Sequence, residues 1–234
     1  FTKNINNDLK GKKIAVIDNF LKDIMQEEVK ETIENTINVL REEGAEVDRI
    51  EFKYGKEAIS VYHIISSAEA SSNLSRMDGI RYGVRSENSN TLEDLYVNTR
   101  TEGIGREAKR RIMLGTYVLS AGFYDAYYKK ALKVRELIIR SMNEIFENYD
   151  AILMPVTVKT APKKGYVESN KEETFYSDIY TCLANITGTP AISIPVGKDN
   201  DGMPIGMQFI TNRYEDEKLL NISNVVLNKM KNNF

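Results

Sequence analysis

Apolar and polar positions fall in blocks along this chain, and the period of each block predicts its backbone. "KKIAVID" (12–18) is a short apolar run with charged edges and predicts a strand. "EEVKETIENTINVLREEGAE" (27–46) carries Val29, Ile33, Ile37 and Leu40 at helical spacing and is closed by Gly44. "AEVDRIEF" (45–52) then alternates like a strand, and strand, helix and strand in succession are the unit of an α/β fold.

The pattern continues with a predicted helix through "EAISVYHIISSAEASSNL" (57–74) and a polar loop, "VRSENSNTLEDL" (84–95). Two long helical stretches follow, 105–122 and 124–149. "AILMPV" (151–156) reads as a buried strand, and "TPAISIPVG" (189–197) and "MPIGMQFI" (203–210) add two more, each punctuated by proline. The last helix starts near Glu215 and carries Leu219, Leu220, Ile222 and Val226.

Composition narrows the classes. A chain of 234 residues can bury a sizeable core. Its 32 Lys and Arg nearly cancel 34 Asp and Glu, so no global basic field argues for tight nucleic-acid binding. The single cysteine, Cys182, excludes an internal disulfide framework and a multi-cysteine zinc site. With no secretory h-region and no apolar run near the length of a membrane span, the expectation is a soluble cytoplasmic protein that engages no membrane. The chain opens on Phe1 rather than Met, so a segment upstream is expected.

Few catalytic kits are available to these residues. His63 is the only histidine, so a serine-histidine-carboxylate triad would have to use it, and metal sites built on several His and Cys are excluded. His63 sits in an apolar helical run, where packing competes with general-base work, and pairing it with Cys182 competes with a buried thiol acting as a small hydrophobe. No G-x-x-x-x-G-K phosphate loop occurs. The serine-dense run "SSAEASSNLSRMDGIRYG" (66–83) places Ser66, Ser67, Ser71 and Ser72 on a helical pattern among small residues, which predicts close helix packing. Gly79, Gly83, Gly188 and Pro190 read as turn chemistry.

Three segments, "EASSNLSRMDGIRYG" (69–83), "TRTEGIGREAKRRIMLGTYVLSAGFYDAYYKKALKVR" (99–135) and "DIYTCLANITGTPAISIPVGKDNDGMPIGMQFI" (178–210), resemble the C-terminal half of the A subunits of glutamyl-tRNA(Gln)/aspartyl-tRNA(Asn) amidotransferases. These are members of the amidase signature family. The resemblance implies an α/β fold with a mixed central sheet flanked by helices, and residues 1–234 as a single domain, the C-terminal portion of an amidase signature domain. It implies hydrolysis of glutamine to supply ammonia that converts Glu-tRNA(Gln) to Gln-tRNA(Gln) or Asp-tRNA(Asn) to Asn-tRNA(Asn). The family uses a Ser-cisSer-Lys triad whose nucleophile and bridging serine belong to a Gly/Ser-rich region of the N-terminal half, and no "GGSSGGS"-like run appears here. The isolated chain is therefore expected to be catalytically incomplete, with no catalytic residue and no metal site of its own.

The resemblance further implies partners: the B subunit, which uses ATP and Mg²⁺, the small C subunit, and misacylated tRNA through the complex. This chain itself is expected to carry no cofactor. Free glutamine is a zwitterion, so its site needs a forked cation for the α-carboxylate and an anion for the α-ammonium. By resemblance Arg111 holds the carboxylate and Asp178 the ammonium, with Tyr62 beside them. Arg110 lies about 100° from Arg111 on a helix, so the two cannot share one cleft, and Arg110 is expected to be solvated. Ordinary readings stand beside these: Arg111 on a solvated face, Asp178 as a helix cap, Tyr62 in a core with its hydroxyl reaching the surface. Two other functions remain open, an amidase of the same fold acting on small amides without tRNA, and a non-catalytic interaction module.

Overall fold

The apolar runs of the sequence become the strands of one mixed sheet. The computed structural model describes residues 5, 8–22, 26–166 and 177–231. The chain divides into two units, Phe1–Ile59 with Leu137–Phe234, and Ser60–Glu136. The chain leaves the first within one helix and returns to it within another.

The first unit holds five strands, β1 (Lys13–Ile17), β2 (Glu46–Ile50), β3 (Ala151–Pro155), β4 (Ala191–Lys198) and β5 (Pro204–Ile210), in the order β2-β1-β3-β5-β4. β1 pairs in parallel with β2 and β3, while β5 runs antiparallel to both β3 and β4. Every residue of β3 is buried, as is β1 after Lys13. Such runs lack alternation because both faces of a central strand are covered. After β1 comes a short turn of helix, α1 (Asp18–Leu21), and the crossover to β2 is α2 (Glu27–Glu42). Its buried stripe holds Val29, Ile33, Ile37 and Leu40, the positions that its spacing predicts. The terminal helix, α8 (Asp216–Met230), packs on α2, β4 and β5 and buries Leu219, Ile222 and Val226, leaving Leu220 half-buried. Elsewhere in this unit Phe20, Phe52 and Tyr180 form an aromatic cluster, and the Tyr180 hydroxyl donates to the Phe20 carbonyl at 2.9 Å. A short helix, α7 (Cys182–Thr187), ends on Gly188, whose φ of +69° gives the left-handed cap that lets the chain turn into β4.

The second unit is helical. It contains all but the first turn of α3 (Gly55–Leu74), then α4 (Leu92–Gly103), α5 (Arg106–Leu119), a π-helical segment (Tyr124–Lys129) and the start of α6 (Lys130–Phe146). Helix α4 departs from the expected polar loop over 84–95. Thr91 accepts from the Asp94 N–H while the Asp94 carboxylate accepts from the Thr91 N–H, a reciprocal cap that starts a helix inside a polar stretch. Among its side chains only Leu95 and Thr99 are buried, too sparse a stripe for the apolar period to reveal.

Candidate functional site

Contacts between α3 and α5 place the first two expected site residues. The helices meet where α5 has no side chain: a Cβ on Gly115 would stand 2.0 Å from the Ser67 carbonyl oxygen. Ser67 is buried, and the Ser71 and Thr116 hydroxyls share a hydrogen bond of 2.9 Å. These serines thus serve helix packing, as their small neighbours predict. About one turn earlier on each helix stand Tyr62 and Arg111. The Tyr62 oxygen lies close enough to the Arg111 guanidinium to help raise its pKa, and Tyr62 is half-buried with its ring edge-on to His63 at 5.3 Å.

Arg111 has a second partner. Its Nε donates to Oε1 of Glu107 at 3.0 Å, while Arg110 donates to the same carboxylate from Nε at 2.8 Å and Nη2 at 2.7 Å. The 100° between the two arginines is bridged because Glu107 lies three residues before one and four before the other. Arg110 is the more exposed, its side chain 58% accessible against 33% for Arg111. Hydrogen bonds from Arg110, and then from Arg111, outweigh desolvation and hold the Glu107 carboxyl down to about 2. The Arg111 guanidinium is raised in turn, first by Glu107 and, after an opposing effect of burial, by Tyr62.

Asp178 belongs to the sheet unit, ahead of α7. It is half-buried, and its backbone carbonyl accepts from the Cys182 N–H at 3.0 Å and the Thr181 hydroxyl at 3.3 Å. The capping reading for its side chain is corrected: the cap position is Thr181, and no side chain caps α7. Among the described residues the Asp178 carboxylate accepts no hydrogen bond. Cys182 is fully buried, and burial, followed by the Asp178 charge, pushes its thiol up to about 12. A thiol so far above neutral pH holds almost no thiolate and does not act as a nucleophile.

The sheet unit also carries a cavity of about 480 Å³, lined by residues that include Val156, Thr160, Tyr166, Ser177, Pro195 and Ile205. One wall is pinned by a polar network in which Gln26 Oε1 accepts from the Thr160 N–H at 2.9 Å and the Thr160 hydroxyl donates to Asp199 at 2.7 Å. Sequence reasoning passed over this cavity, because its lining comes from four separated segments with no shared spacing. It also passed over Glu107, although the i−3 and i−4 spacing to two arginines was there to find. Among the described residues no helix is long and apolar enough to cross a membrane.

Known proteins resemble the chain over nearly all its length. It is 48% identical over 223 residues to the A subunit of glutamyl-tRNA(Gln) amidotransferase from Clostridium botulinum (strain Loch Maree / Type A3), covering 95% of this chain and 46% of that protein. The same subunit from Latilactobacillus sakei is 46% identical over 219 residues, 94% of this chain and 45% of the relative. The chain therefore spans about half the length of the curated relatives it matches. The crystal structure of the glutamyl-tRNA(Gln) amidotransferase A subunit from Thermotoga maritima superposes with a TM-score of 0.73 at 36% identity, over 97% of this chain and 44% of that one. A bacterial aryl acylamidase of the amidase signature enzymes shares the fold at a TM-score of 0.71 and 21% identity, over 97% of this chain and 45% of that one. Residues 1–220 match the amidase family itself, and with the α/β fold and mixed sheet described above the chain belongs to the amidase signature family.

Proposed function

We propose that this chain forms part of the glutamine-hydrolysing subunit of a tRNA-dependent amidotransferase, and that Arg111, Tyr62 and Asp178 contribute its glutamine pocket. The observation that carries the reading is the Tyr62–Arg111 pair, set in a chain 48% identical to an amidotransferase A subunit. A guanidinium a third exposed, its terminal nitrogens not consumed by Glu107, suits an amino-acid carboxylate better than the acyl groups of simple amides. The Asp178 carboxylate, with no hydrogen bond among the described residues, is chemically suited to an ammonium.

In this reading a serine outside these 234 residues attacks the side-chain amide carbon of glutamine. Ammonia leaves, and water releases glutamate from the acyl-serine. Ammonia then passes, sheltered from protonation by bulk water, to the B subunit, which activates the carboxyl of Glu-tRNA(Gln) or Asp-tRNA(Asn) with ATP and Mg²⁺. The small C subunit completes the assembly in the cytoplasm. This chain supplies recognition and carries neither the nucleophile nor a metal.

Replacing Arg111 by Lys in the complete enzyme tests the assignment. Lysine keeps the charge but loses the fork, so the KM for glutamine should rise about tenfold while amidation supported by ammonia is spared. Equal loss of glutamine- and ammonia-supported activity would remove Arg111 from the pocket.

A further inference from the structure

The Glu107 carboxylate touches Arg110 and Arg111 of α5, and its role does not follow from the glutamine reading alone. An arginine has two edges that can grip a carboxylate, the side edge at Nε and the end formed by Nη1 and Nη2. Glu107 takes the Nε of Arg111 at 3.0 Å, and the Tyr62 oxygen lies against the same guanidinium. A long side chain that would otherwise rotate is thereby held at its Nε edge. Glu107 also leaves the cluster with one net positive charge, two guanidinium groups against one carboxylate, which matches a single substrate carboxylate.

Resting on the assignment of Arg111 to the substrate carboxylate, we infer that Glu107 is the positioning residue for that contact: it clamps the Nε edge of Arg111 so that the Nη end is presented to the ligand. The opposite role is also physically defined. An internal carboxylate on the substrate's arginine could compete with the substrate, and removing it would then tighten glutamine binding. The sign of the change in KM separates the two.

The experiment uses the complete, assembled amidotransferase with Glu107→Ala and Glu107→Gln, the second keeping an acceptor of the same length without the charge. Arg111→Lys is measured beside them. The KM for glutamine should rise by about tenfold in Glu107→Ala and by less in Glu107→Gln, with kcat within about twofold and ammonia-supported amidation unchanged. A KM that is unchanged or lower in both, or a parallel loss of ammonia-supported activity, overturns the positioning role. If Arg111→Lys leaves the KM for glutamine unmoved, the glutamine reading itself fails. If Arg111→Lys raises it and the Glu107 variants do not, only the role of Glu107 fails. Glu107 is 59% exposed, so both variants should fold, and their melting curves would confirm it.

Discussion

At Gly115 a single hydrogen in place of a methyl group sets how near α3 and α5 can come. The atom that a Cβ would meet is the Ser67 carbonyl oxygen at 2.0 Å, part of a helix backbone that cannot swing aside as a side chain would. Gly115→Ala should therefore destabilise the chain by about 1–3 kcal/mol, more than offsetting the gain in helix propensity. Ser71→Ala removes only an exposed hydroxyl bond to Thr116 and should cost about 0.5 kcal/mol. Urea unfolding of the two variants checks the ranking, and a neutral Gly115→Ala would mean that the helices do not meet there. Arg111 and Tyr62 lie about one turn before this contact on their respective helices. Their choice as candidate site residues, and the expectation that they lie together, came from family resemblance alone, because apolar periodicity carries no sign of how closely two helices approach. Glu107 is legible from helical geometry alone, through its spacing of three and four residues to Arg110 and Arg111, whereas clustered charges on a helix taken singly point to solvent.

Where strands begin, one carboxylate ties three elements of the sheet unit together. Asp150, just ahead of β3, accepts from the Lys13 N–H of β1 at 3.0 Å and pairs with Lys12 at 3.4 Å and with Lys218 of α8 at 3.1 Å. Burial alone would push this carboxyl up, but the backbone donor and the two lysines outweigh it and hold it below the usual carboxylate range. A group depressed on folding adds stability above its unfolded pKa, about 3.9, and loses it as pH falls through the folded value. Asp150→Asn should thus cost about 1–3 kcal/mol near pH 7, and the gap from the parent should close below about pH 4. Melting temperatures across that range decide it, and a gap that persists in acid would show that the ion pairs contribute little. The strands themselves were legible, because buried apolar runs and period-two alternation carry through to β1, β2, β3, β4 and β5. Helix α4 was not, since its start is written in the Thr91–Asp94 cap and its buried face amounts to Leu95 and Thr99. Sheet order was equally hidden, for β3 lies beside β1 although Ile14 and its partner Ala151 are 137 positions apart.

Taken whole, the molecule builds a helical unit from one continuous stretch and a sheet unit from both ends of the chain. Its sole sulfhydryl, Cys182, is 1% exposed in the sheet unit. That placement makes the side chain a built-in clock for breathing motions: a maleimide or iodoacetamide can react only when the surrounding core parts. Alkylation of the native chain at pH 8 should be slower than that of the urea-unfolded chain by at least about a hundredfold, and Asp150→Asn should accelerate it. Equal rates in the two states would place Cys182 at the surface. With no other thiol to compete, a mass spectrum counting one adduct per chain would time the opening of this half of the molecule with no engineered label.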